Sequence, residues 1–171
     1  MAIALVCCSV AVTPHASAVD SNDQALGQAI CQLIPDAGGS LLSEHSGCRW
    51  QKLANRPLLS GEVVELSAQS FAGNAQRAQL VDAQIRHFRK LQNGHIFADT
   101  REFNPCPNGG SAGRRMRVYH RSHVEHYGYA QCGEKLMTLR VYLLKNGGTD
   151  PSALFDDLAN RAGELLAPGG W

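Results

Sequence analysis

RMRVYHRSHVEHYGYAQ, residues Arg115 to Gln131, is the stretch whose reading decides the fold. It holds no helix breaker before Gly128, and its Tyr and Val content favours extended backbone. One long strand is therefore expected here. Side chains alternate across a strand, so Arg115, Arg117, Tyr119, Arg121, His123, Glu125, Tyr127 and Tyr129 fall on one face. Met116, Val118, His120, Ser122, Val124 and His126 fall on the other. The first set is a ladder of cationic and aromatic groups. Arg offers a flat fork matched to carboxylate or phosphate, and Tyr gives broad contact at low entropic cost. Arg115, Arg117, Tyr119, Arg121, His123, Tyr127 and Tyr129 are accordingly the candidate binding residues for an anionic surface. The competing reading is a plain solvated sheet face, where Arg and Tyr are ordinary occupants.

Working outward, Leu136 to Leu144 alternates Met137, Leu139, Val141 and Leu143 on one face and reads as a second strand. Asn146-Gly147-Gly148 turns the chain, and Asp150 caps a last helix with Pro151 in its first turn, where the missing N–H costs nothing. Leu154, Phe155, Leu158, Ala162 and Leu165 are its expected buried side. Upstream, Asn74 to Asn93 carries an apolar stripe of Ala78, Val81, Ile85 and Phe88 and predicts a helix, with Arg86, Arg89 and Lys90 on its solvated side. Glu62 to Gln69 alternates like a half-buried strand, and Ile96 to Phe103 is a weaker one. Ser21 and Gln24 form a capping box ahead of Leu26, Ile30, Leu33 and Ile34, and Pro35 ends that first helix. Asp36 to Gly47 is turn-rich, and Asn104 to Gly113 reads as a long loop. The order predicts an α+β domain, with an antiparallel sheet of about four strands and helices packed on one face.

The chain opens with an uncharged, largely apolar run from Ala2 to Val12, broken by Pro14 and followed by Ala16-Ser17-Ala18. That small-x-small pattern predicts a cleaved signal peptide over 1–18 and a single domain over 19–171. The signal departs from the usual pattern in lacking Lys or Arg at its start. The run is too short for a membrane span, which takes ~20 residues. Neither Cys7 nor Cys8 follows the small residue expected before a lipidated cysteine. Export places the protein in the periplasm or outside the cell, where disulfides persist.

Cys31, Cys48, Cys106 and Cys132 are therefore expected to form two disulfides, which stabilise the domain. Sequence alone leaves three pairings open. The local pair Cys31–Cys48 is the simplest and forces Cys106–Cys132. That second bond conflicts with one straight strand from Arg115 to Gln131, whose ends would lie ~55 Å apart at 3.3 Å per residue.

The net charge of +1 points to neither a general nucleic-acid binder nor a disordered acidic tail. His120, His123 and His126 recur at spacing three, yet on one strand no single ion reaches all of them. No metal or cofactor is expected. There is no G-x-S-x-G, H-E-x-x-H or Walker loop. These features favour a binding protein over an enzyme. The concrete expectation is an inhibitor or immunity-type protein that engages a partner protein or an anionic envelope component. The alternative is a small secreted hydrolase of ribonuclease type, with Arg121, His123 and Glu125 as phosphate clamp, acid and base. Nucleic acid is a partner only in that second reading.

Overall fold

The computed structural model describes residues 21–35, 38–44, 46–53, 61–93, 98–106 and 108–167. The expected signal segment 1–18, with Cys7 and Cys8, lies outside them. The described chain runs α1 (Ser21–Leu33), β1 (Ser40–Glu44), β2 (Gly47–Lys52), β3 (Glu62–Ser70), α2 (Gly73–Asn93), β4 (Ala98–Phe103), β5 (Gly110–Tyr119), β6 (His123–Cys132), β7 (Lys135–Leu144) and α3 (Pro151–Leu166). All strands join one antiparallel sheet of order β1-β2-β3-β7-β6-β5-β4, so the class is α+β.

The sheet has seven strands rather than about four. Two differences account for this. The segment read as turn-rich, Asp36 to Gly47, contains β1, and β2 starts at its last residue; in this hairpin Leu41 and Leu42 pair with Trp50 and Arg49. The long strand expected from Arg115 to Gln131 is a hairpin: β5 ends at Tyr119, His120 to Ser122 turn the chain, and β6 begins at His123. The His120 N–H closes that turn onto the His123 carbonyl at 3.0 Å. β5 also reaches back to Gly110 into the expected loop, with a bulge between Ser111 and Arg114.

The hairpin resolves the cysteine conflict. It returns β6 alongside β5, so that Cys132 pairs with Gly110 near the end of the Cys106 loop. Cys106–Cys132 and Cys31–Cys48 both form, with Cα–Cα distances of 5.4 and 5.1 Å.

Helices cover both faces, not one. On the first face, Leu26, Ile30 and Ile34 of α1 and Phe155, Leu158 and Ala162 of α3 pack on Trp50, Val64, Leu66, Met137, Leu139 and Val141. Burying a side chain such as Phe155 or Leu158 contributes about 1.5–3 kcal/mol. Asp150 caps α3 by accepting the Ser152 N–H at 2.9 Å. Gly128 sits where Phe103 and Phe155 close over the sheet; a Cβ there would lie 2.9 Å from the Phe155 ring. On the second face, Phe88 of α2 is buried with Met116, Val118, Tyr127, Tyr129 and Leu136, flanked by Val81 and Ile85. Ala78, expected on the buried stripe, is exposed.

Candidate functional site

Because the ladder turns back at His120, its members divide between the two faces. Met116 pairs with Tyr127, and Val118 with Glu125, so His123, Glu125, Tyr127 and Tyr129 point to the α2 face. Arg115, Arg117 and Tyr119 point to the α3 face. Arg121 is exposed in the turn between them. The single cationic and aromatic face expected from the alternation is thus two environments, and they differ in kind.

The α2-face environment is a cross-strand charge cluster centred on Glu125. Its side chain is 3% exposed; one carboxylate oxygen accepts from Arg140 Nε at 2.8 Å, and the other lies 2.8 Å from His120 Nε2. Arg140 also approaches Glu65 at 3.5 Å. Arg49 Nε lies 3.2 Å from the other Glu65 oxygen, an ionic contact without hydrogen-bond alignment. Register produces this arrangement, since Arg49 pairs with Glu65 and Glu65 with Arg140 across β2, β3 and β7. Tyr142 lies beneath: its ring stacks on His123 at 4.4 Å and 9°, meets His120 edge-on, and carries the Arg140 guanidinium 5.6 Å above it. Burial works against the Arg140 charge, but Glu125 and Glu65 more than offset it and hold the guanidinium firmly protonated. Tyr127 donates to Gln84 of α2, and burial raises the pKa of both Tyr127 and Tyr129. His87 of α2 packs edge-on against Tyr127 at 4.8 Å, and burial with the Arg140 charge lowers its pKa.

Of the residues expected to form a catalytic set, the structure brings Glu125 and His123 to one face and leaves Arg121 out in the turn. The side chains that engage Glu125 are His120 and Arg140 instead. Arg140 was legible as a polar position alternating with Leu139 and Val141, but nothing local in the sequence registers it against Glu125.

On the α3 face, Arg115 is committed to the fold. Its guanidinium binds Asp156 at 2.6 Å and lies 5.5 Å from the centre of the Phe155 ring. His126 is buried beside it, 1% exposed, with its ring 5.5 Å from Phe155. Burial, followed by Arg115 and Arg117, lowers its pKa to about 4. The folded protein therefore keeps His126 neutral where the unfolded chain, with an ordinary pKa near 6.5, takes up a proton. The resulting stability is present above about pH 6.5 and is lost as pH falls toward 4. Between pH 7.5 and 4.5 this single group is expected to remove about 2–3 kcal/mol. Urea unfolding at both pH values checks it, with the His126→Phe variant losing less stability on acidification by that amount.

Beyond His126 the face opens. Arg117 lies 3.5 Å from Asp99, a carboxylate it shares with Arg101, and its guanidinium sits 5.2 Å over the Tyr119 ring. Tyr119 is 44% exposed, and Arg121, two residues further along the chain, is also exposed. Lys145 Nζ donates to the Arg121 carbonyl at 3.3 Å and adds a third cation at this corner.

Among the described residues no group of three or more His, Cys, Asp or Glu could hold a metal ion, and no helix is long and apolar enough to cross a membrane. Compared with known proteins, the chain matches no protein family, no curated protein and no solved structure.

Proposed function

We propose that this is an exported, disulfide-stabilised binding protein of inhibitor or immunity type, and that the corner formed by Arg117, Tyr119 and Arg121 engages an acidic surface on a partner protein. The observation that carries the reading is the exposed Tyr119 ring with Arg117 stacked on it, two residues before the exposed Arg121. Tyr and Arg are the side chains most enriched among residues that dominate binding energy, and a stacked guanidinium is already oriented before the partner arrives. Lys145 adds a third positive charge to the corner, which faces the single negative charge of Asp99 there. Two disulfides and a sheet covered on both faces give that corner a rigid base. They also suit the oxidising periplasm or extracellular space.

The ribonuclease reading has less support. Both Glu125 oxygens are engaged by Arg140 and His120, and the carboxylate is nearly buried, so it is better placed to anchor the sheet than to accept a substrate proton.

Capture from envelope extracts tests the binding reading. Wild-type protein is expected to recover a discrete partner, released by salt, and Arg117→Glu and Tyr119→Ala are each expected to weaken recovery by about thirtyfold, the effect of losing ~2 kcal/mol at a dominant contact. Equal recovery by wild type and both variants removes the corner from consideration.

A further inference from the structure

Three Asn-Gly steps occur in the chain, at Asn93-Gly94, Asn108-Gly109 and Asn146-Gly147. Glycine has no Cβ to shield its backbone nitrogen, so that nitrogen can reach the side-chain carbonyl carbon of the asparagine before it. Whether it does so depends on what already holds the two residues. Gly94 lies outside the described residues, and the other two steps are held differently. Asn146-Gly147 belongs to the turn after β7, where the Gly147 N–H donates to the Leu144 carbonyl at 3.2 Å. That nitrogen must give up a hydrogen bond before it attacks, which slows the step about fivefold.

Asn108-Gly109 lies between Cys106 and the start of β5. Both residues are exposed, so water reaches them. Gly109 is fixed through its carbonyl, which accepts the Gly133 N–H at 2.7 Å. Its own N–H donates to no described residue, and the Asn108 side chain has no hydrogen-bond partner among them. The attacking nitrogen and the side-chain carbonyl in front of it are therefore both unengaged.

We infer that Asn108 is a site of spontaneous deamidation. The Gly109 nitrogen bonds to Asn108 Cγ, its proton passes to the departing amide nitrogen, and ammonia leaves behind a five-membered succinimide. Water then opens either carbonyl of that ring, giving aspartate or isoaspartate. One water is consumed for each ammonia released, and no oxidant or further reactant is needed. The product matters at this place in the fold. Asn108 lines a cavity of about 460 Å3 with Asn104 on the same loop and Asn160 and Glu164 on α3, and no cationic side chain lines it among the described residues. Deamidation thus sets a second carboxylate in a cavity that already holds Glu164. The site is separate from the Tyr119 corner and stands whether or not that corner binds a protein.

The test is incubation of the oxidised protein in 18O-labelled water at neutral and mildly alkaline pH, followed by digestion and peptide mapping by mass spectrometry. The peptide holding Asn108 is expected to take up 18O and yield isoaspartate about fivefold faster than the one holding Asn146. The rate is expected to rise with pH, because the attacking nitrogen must lose its proton. Gly109 does not have a positive φ, so alanine fits its backbone without strain. Gly109→Ala is expected to slow the reaction at Asn108 several-fold and to leave Asn146 unchanged. An Asn108 that reacts no faster than Asn146 overturns the proposal, and so does a Gly109→Ala variant that reacts as fast as wild type.

Discussion

Reducing both disulfides is expected to lower the free energy of unfolding by about 6–7 kcal/mol, the largest single change this fold can suffer without a core substitution. The two loops, with sequence separations of 17 and 26, do not overlap, so their effects on the unfolded chain are independent. Loop-closure entropy assigns about 3 kcal/mol to Cys31–Cys48 and about 3.5 kcal/mol to Cys106–Cys132. Domains of this kind have only ~5–15 kcal/mol in total, so the reduced chain is left marginal. The second bond also has more to hold. Pro105 lies directly under Gly163 of α3, where a Cβ would come 2.0 Å from the Pro105 carbonyl oxygen. Cys106 therefore ties β6 to the loop on which α3 rests. Urea unfolding of Cys31→Ala/Cys48→Ala and Cys106→Ala/Cys132→Ala is expected to rank the second pair as the more costly. A reduced protein within ~1 kcal/mol of the oxidised one would contradict this account of its stability.

Replacing Arg140 by Met is expected to cost about 3–5 kcal/mol, more than replacing Glu125 by Gln, although the two residues share one ion pair. The asymmetry follows from burial. Glu125 is 3% exposed, so without Arg140 its charge stays in the protein with only His120 beside it. Arg140 is 34% exposed and keeps Glu65, so without the Glu125 charge it still has water and a second carboxylate. Glu125→Gln is therefore expected to cost about 1–2 kcal/mol, close to the loss of one charged hydrogen bond. The double variant Arg140→Met/Glu125→Leu is expected to recover most of the loss, because replacing both partners leaves no charge stranded. Chemical denaturation of the three variants checks the order. If Glu125→Gln proves the more damaging single change, the carboxylate is not the group stranded by burial.

Local signals in the sequence mark most of the elements and say little about how they meet. α1 was legible from its apolar spacing, α3 from its cap and apolar spacing, and Leu136 to Leu144 from its alternation, because those patterns are set by nearest neighbours along the chain. The turn at His120 was not. It contains neither Gly nor Pro, and Arg121 and Ser122 are compatible with a strand, so alternation carried straight through it. That one missed turn reverses which face Tyr127 and Tyr129 occupy, as any change of parity in a strand does. The cysteines held the missing information. A bond between Cys106 and Cys132 is incompatible with a straight ladder and natural in a hairpin. β1 was hidden for a different reason: Gly38, Gly39 and two serines around Leu41-Leu42 read as turn, and it is the long-range pairing with β2 that makes it a strand. The Glu125 cluster was legible only in Glu125 and His123. Arg140, Glu65 and Arg49 reach it through the register of strands far apart in sequence, which no local pattern encodes.

In the proposed function a partner meets this protein at the Tyr119 corner and not along the exposed Arg86, Arg89 and Lys90 of α2. Site-specific photocrosslinking in cells that produce the protein tests this most directly, with a benzophenone side chain placed at Tyr119 or, as control, at the exposed Arg86 of α2. A discrete heterologous adduct from position 119, absent from position 86, is the predicted result. The same adduct from both positions, or from position 86 alone, would contradict it.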